Sequence, residues 1–193
     1  MTQKTQDQKP RVLFLHGLEG SPQGQKAQHL LEHWGAYTPQ MPSGQLIHLK
    51  SVWGAWVNVP SLMLSDAVSS LMEGVEMAIR DFQPDIVVGS SMGGALAFKA
   101  MLDGLWSGPT IFLNPAIFQL LRKDATRQLP GARTVWILGS EDVITPYPAN
   151  LQACAACDGA SMVIDDNHRL AKAVTHGYLD AAIKKLWKEE LDG

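Results

Sequence analysis

The stretch Gly89-Ser90-Ser91-Met92-Gly93 places a serine between two glycines in the spacing G-x-S-x-G. This is the spacing of a nucleophile elbow, a turn so tight that the residues two before and two after the serine must be small. Gly89 and Gly93 meet that demand for Ser91. Ser90 fails it, because Met92 would then occupy the crowded position. An elbow also needs a strand before it and a helix after it. Asp85 to Val88 reads as a short buried strand ending at Gly89, and Ala95 to Leu105 reads as a helix. The bland alternative is that these small residues only let a helix pack closely on a sheet.

A serine hydroxyl is a poor nucleophile until a base takes its proton. Where the elbow is used, acid and histidine follow the serine in the chain, so the base is sought downstream. His168 and His176 are the candidates. His168 lies in the turn Asp165-Asp166-Asn167-His168 after the last apolar strand, where a loop can reach back over Ser91. His176 falls within the final helical pattern, where a lone histidine is more often a packing or surface residue. The orienting acid should leave the end of the preceding strand, and Gly139-Ser140-Glu141-Asp142 does so. Asp142 is the first choice, with Glu141, Asp165 and Asp166 as rivals; a solvated loop carboxylate is the ordinary fate of each. The acid's task is to hold the imidazole in one tautomer and to stabilise the imidazolium.

Acyl transfer further requires donors for the oxyanion that forms at the attacked carbonyl. The Met92 backbone N–H, at the start of the helix, is one. The other is expected from the turn His16-Gly17-Leu18-Glu19-Gly20 after the first strand, with the Leu18 backbone N–H as the choice. His16-Gly17 also reads simply as a capped strand end.

The elements that must position these groups alternate short apolar runs with longer segments of helical period. Val12 to Leu15 reads as a buried strand. Ser21-Pro22 reads as an N-cap and first-turn proline of a helix running to about Trp34, stopped by Gly35. Ala36 to Gln40 is a weaker strand. Residues 43 to 60 lack a steady period and are expected to form a loop or flap. Ser61 to Phe82 carries apolar residues three and four apart and predicts a long amphipathic helix. Thr110 to Leu113, Arg133 to Leu138 and Ser161 to Ile164 read as strands. Phe118 to Gln128 and Ala171 to Glu190 read as helices. The result is a single α/β domain over residues 1–193, with about six strands in a mostly parallel sheet between helical layers.

Composition narrows the class. Apolar residues make up 46% and charged residues 18%, as suits a sheet covered on both faces. The net charge is −3 and the 16 Lys and Arg are scattered, so nucleic acid is not an expected partner. The polar start of the chain and the lack of a run of about 18 apolar residues point to a soluble, cytoplasmic protein with no membrane partner. Cys154 and Cys157 form one C-x-x-C without further ligands for a metal. They read as small apolar residues at the start of a helix in a reducing compartment. No metal or organic cofactor is implied.

Several segments together resemble the α/β-hydrolase superfamily and, within it, the small bacterial YqiA-type esterases. They are Leu15-His16-Gly17-Leu18-Glu19-Gly20-Ser21-Pro22, Pro39-Gln40-Met41-Pro42, Val88 to Gly94, Asn114-Pro115-Ala116, Gly139 to Asp142 and Asn167-His168. The resemblance implies a three-layer αβα fold lacking the superfamily's first two strands, the triad Ser91, Asp142 and His168, and hydrolysis of carboxylic esters or thioesters. The chain departs from the pattern in its tryptophan-bearing stretch 43 to 60, which is longer, and in Arg169, where a smaller residue is expected. The segment between Leu113 and Arg133 is too short for a large cap domain. An open site is therefore expected, with Trp53, Trp56 and Phe118 as candidate walls. A thioester substrate, acyl-CoA or an acylated protein, is the alternative within the same chemistry, and a binding protein on a hydrolase scaffold is the rival class.

Overall fold

The computed structural model describes residues 8–125, 127–129 and 131–192. Five strands, β1 (Val12–Leu15), β2 (Ile86–Ser90), β3 (Thr110–Leu113), β4 (Thr134–Gly139) and β5 (Ala160–Ile164), form one sheet in the order β1-β2-β3-β4-β5, every pair parallel. The sixth expected strand, Ala36 to Gln40, shrinks to a single bridge between Tyr37 and Leu13. Tyr37 donates to the Val12 carbonyl and accepts from the Phe14 N–H. Pro39, without an N–H, cannot continue the ladder.

Helices cover both faces, and side-chain alternation along β1 to β4 feeds two cores, while β5 is largely exposed. Leu13, Leu15, Val87, Phe112, Trp136 and Leu138 point to one face, where α3 (Ser61–Phe82), α4 (Met92–Leu102) and α6 (Tyr147–Ala156) pack. Val12, Phe14, Val88, Ile111, Val135 and Ile137 point to the other, packed by α1 (Gln25–Trp34), α7 (Ala171–Thr175) and α8 (Tyr178–Asp192). Strands buried on both sides must be nearly continuous apolar runs, which is why they stand out in the sequence.

Further elements differ from expectation. The first helix begins at Gln25, because Ser21 to Gly24 closes on itself as a turn: Gly24 donates to the Ser21 carbonyl and Gln23 to the Ser21 hydroxyl. Gly35 ends it in the left-handed conformation, φ 62°. Residues 43 to 60 are α2 (Gly44–Trp53) followed by a 3-10 turn at Trp56–Asn58. Among the described side chains of α2 only Leu46 and Leu49 are buried, too few for a readable period. The helix expected at Phe118 to Gln128 is one turn, α5 (Ile117–Leu120), and a 3-10 turn at Arg122–Asp124. The closing helix is broken by Gly177, φ 73°, into α7 and α8. Cys154 and Cys157 end α6 rather than begin a helix, and both are buried free thiols. No helix among the described residues is long and apolar enough to cross a membrane.

Candidate active site

Ser91 occupies the turn from β2 into α4 with φ 53° and ψ −115°, a conformation that residues with a Cβ rarely adopt. The turn is held from several sides. The Ser91 N–H donates to the Leu113 carbonyl, and its own carbonyl accepts from Ala95 and Ala116. The flanking glycines are required by space. A Cβ on Gly93 would stand 1.9 Å from the Leu15 carbonyl oxygen, and one on Gly89 would stand 2.7 Å from the Gly93 carbonyl oxygen.

His168 reaches Ser91 from the loop between β5 and α7. Its Nε2 lies 2.9 Å from Ser91 Oγ, and its Nδ1 lies 2.7 Å from Asp142 Oδ2. An ionised carboxylate only accepts, so Nδ1 carries the hydrogen and Nε2 is left to accept from the serine hydroxyl. The Asp142 side chain is 0% exposed. Its Oδ1 accepts from the backbone N–H of Ile144 and Thr145, and its Oδ2 accepts from the Thr145 hydroxyl. Burial works to raise the Asp142 carboxyl, but hydrogen bonds from His168 and Thr145 outweigh it and hold it below the ordinary 3.8.

The rival residues lie elsewhere. Glu141 stands at the mouth of the cavity, Asp165 is exposed and pairs with Lys172 at 3.0 Å, and Asp166 is buried against backbone amides. His176 is exposed at the end of α7, beside the Thr175 hydroxyl.

Leu18 and Met92 both line the cavity beside Ser91, and among the described residues neither backbone N–H has a protein acceptor. The Gly17–Gly20 turn is pinned by buried His16. Its Nε2 accepts from the Met41 N–H at 3.3 Å, so its Nδ1–H donates to the Gly17 carbonyl at 2.8 Å. The cavity measures about 680 Å³. Of its expected walls, Trp56 lines it; Phe118 packs against the core instead, and its neighbours Gln119 and Leu120 face the cavity. The Trp53 side chain lies outside the described ones.

Two residues tie the site together: Thr145, which the sequence reading did not name, and Asn114, which it named within a resembling segment but gave no role. Thr145 bonds Asp142 as above, and its hydroxyl oxygen also lies 3.2 Å from the Asn114 carbonyl oxygen. Buried Asn114, φ 42°, accepts from the Gly139 N–H at 2.8 Å and donates to the Asn167 carbonyl at 3.1 Å, joining the acid-bearing and histidine-bearing loops. The readable signal was slight: an asparagine at a strand's end before proline, in a conformation that asparagine tolerates. No group of three or more His, Cys, Asp or Glu among the described residues is placed to hold a metal ion.

Solved structures resemble this fold over nearly its whole length. Alpha/beta hydrolase domain-containing protein 10 from mouse is similar at a TM-score of 0.67 and 18% identity, over 94% of this chain and 91% of that one. A monoacylglycerol lipase from Paleococcus ferrophilus is similar at 0.65 and 14% identity, over 91% and 93%. Est1E from Butyrivibrio proteoclasticus, with ferulic acid bound, is similar at 0.63 and 15% identity, over 96% and 91%. At these identities the likeness is one of fold, and the fold is that of the α/β-hydrolases with a shortened sheet. No family model matches the sequence, and no curated protein does.

Proposed function

We propose that this protein is a serine hydrolase that cleaves carboxylic esters through an acyl-enzyme on Ser91, in the manner of the small YqiA-type esterases that its motifs resemble. The observation that carries the reading is the continuous hydrogen-bonded chain from Ser91 Oγ through His168 to Asp142, 2.9 Å and 2.7 Å, at the wall of a cavity. The names of similar folds, a lipase and an α/β-hydrolase domain protein among them, support a hydrolase.

In this reading His168 Nε2 takes the hydroxyl proton as Ser91 Oγ bonds to the carbonyl carbon. The carbonyl electron pair moves to oxygen, which accepts hydrogen bonds from the Leu18 and Met92 N–H groups. Collapse breaks the bond to the alcohol, and His168 returns the proton to the leaving oxygen. Water, deprotonated by the same nitrogen, then attacks the acyl-enzyme, releasing the acid and restoring Ser91 Oγ–H. Asp142 stays ionised and holds Nδ1–H throughout.

Hydrolysis of p-nitrophenyl acetate, butyrate and octanoate by the wild type, Ser91→Ala and His168→Ala tests this. Both variants should lose kcat by about 10⁶-fold, or to background. Full turnover by Ser91→Ala, or none by the wild type, would overturn it.

A further inference from the structure

The cavity beside Ser91 has two chemically different sides. Leu46, Trp56, Leu120 and Ile144 supply apolar surface, while Lys26, Lys50 and Arg169 bring three cations to a protein of net charge −3. The cations are not equivalent. Lys50 stands 3.8 Å from Glu19, and Glu141, the other carboxylate of the lining, acts on the neighbouring Asp165 and Lys172.

Among the described residues Lys26 and Arg169 have no such partner. The Lys26 ammonium donates to the Arg169 backbone carbonyl, and among the described residues no carboxylate forms an ion pair with either side chain. Asp166 acts on Lys26 through space, but it is buried and accepts hydrogen bonds from the Asn167 and Lys172 backbone amides. Burial pushes the Lys26 ammonium below its ordinary value; Asp166 offsets part of this and Arg169 adds to it. Two like charges at one cavity wall, one of them partly desolvated, favour the arrival of a negative group. There is room for one: a second cavity of about 240 Å³ adjoins the first and shares Lys26 and Arg169 with it.

Lys26 and Arg169 share the cavity lining with His168, which sets the part of a substrate that meets them. Arg169 directly follows His168, the residue that returns a proton to the leaving oxygen. We propose that Lys26 and Arg169 form a subsite for an anionic group, a carboxylate or phosphate, on the alcohol portion of the ester, while the apolar side receives the acyl portion. A guanidinium can grip either group with two hydrogen bonds, and the ammonium adds a point charge. This assignment rests on the ester-hydrolase reading above.

The acetyl esters of 4-hydroxybenzoate, 4-hydroxyphenyl phosphate and neutral 4-hydroxybenzamide test it through the anionic-to-neutral ratio of kcat/KM. The wild-type ratio should exceed one for at least one anion by about tenfold, and the better anion names the source. The ratio should fall by about tenfold in Lys26→Met and about a hundredfold in Arg169→Glu, and stay at the wild-type value in Lys188→Gln, a change of surface charge on α8. A wild-type ratio near one, or a ratio unmoved by Arg169→Glu, overturns the subsite. If the wild type hydrolyses no ester, the ester-hydrolase reading fails by itself. The subsite is then judged by titrating 4-hydroxybenzoate into the wild type and Arg169→Glu: weaker binding by the variant supports it, and equal binding overturns it.

Discussion

His168 with Asp142, and His29 with Asp180, are two imidazole–carboxylate pairs of similar length, 2.7 Å in the first and 3.0 Å in the second. Their surroundings differ. In the first pair the far nitrogen of the ring meets a serine hydroxyl held on a strained turn, with a cavity beside it and two backbone N–H groups that have no protein acceptor among the described residues. In the second, on α1 and α8, the carboxylate also accepts from the Trp34 indole N–H at 2.6 Å, and the His29 ring stacks on His33 with centroids 4.2 Å apart. No nucleophile adjoins it among the described residues. A histidine–carboxylate pair is therefore only a way to orient a ring; what surrounds the ring decides whether the pair moves protons or fastens two helices together.

The comparison breaks most visibly at the acid. Asp142→Asn should lower kcat by about 10⁴-fold with the fold intact, because the amide can no longer hold the required tautomer. Asp180→Asn should leave kcat for p-nitrophenyl butyrate at the wild-type value. Steady-state kinetics with circular dichroism on both variants checks the contrast. If the two lose activity equally, the distinction between the pairs is wrong.

The stability effect should run the other way. Asp180→Ala leaves the Trp34 N–H and the His29 ring without their shared acceptor, and a half-buried polar group so orphaned costs about 1–2 kcal/mol. Urea unfolding at neutral pH should report that loss. Arg122→Ala is a milder structural test. Its guanidinium donates to the Trp56 and Val59 carbonyls and to the Ser61 hydroxyl, holding the segment that carries the Trp56 wall. Its loss should raise KM for butyrate more than it lowers kcat, by about 3-fold to 10-fold, as expected when a binding wall loosens while the reacting groups stay in place.

The smallest effects lie in acid. Burial raises both carboxyls, and hydrogen bonds reverse the sign: His168 and Thr145 for Asp142, Trp34 and His29 for Asp180, so both lie below the ordinary 3.8. A carboxylate depressed in the folded state binds fewer protons there than in the unfolded chain. Its stabilisation is complete above the ordinary value and lost as pH falls through the lower folded value. Thr145→Val removes one donor to Asp142 and should move that loss upward toward 3.8. Asp180→Asn should remove its own share and flatten the decline. Urea midpoints between about pH 2 and 5 would show both.

Much of the site was legible because its demands are local. The elbow needs small residues at fixed offsets from Ser91, and strands covered on both faces must be continuous apolar runs, so Val12 to Leu15, Thr110 to Leu113 and the turn at Gly89 to Gly93 declare themselves in one dimension. What crowds residue 93 is the Leu15 carbonyl, a contact that only the folded structure shows. Segments with few buried residues were not legible. The helix Gly44–Trp53 carries too little apolar period, Gly177 splits the last helix where the period continues through it, and Pro39 ends a strand that propensity would extend.

The amino-acid sequence by itself determined the order of elements, the position of the proposed nucleophile and a short list of candidate acids and histidines. Tertiary structure brings one acid and one histidine of that list to Ser91. Asp142, Glu141, Asp165 and Asp166 are all loop carboxylates, and only the register of β4 against β5 puts Asp142 under the His168 ring while turning the others to solvent or to backbone amides. The same holds for Thr145, Asn114, Lys26 and Arg169. A residue's type can be read along the chain, but a partner many positions away is chosen by packing, because a hydrogen bond or a charge acts over a few ångströms of space and not over sequence.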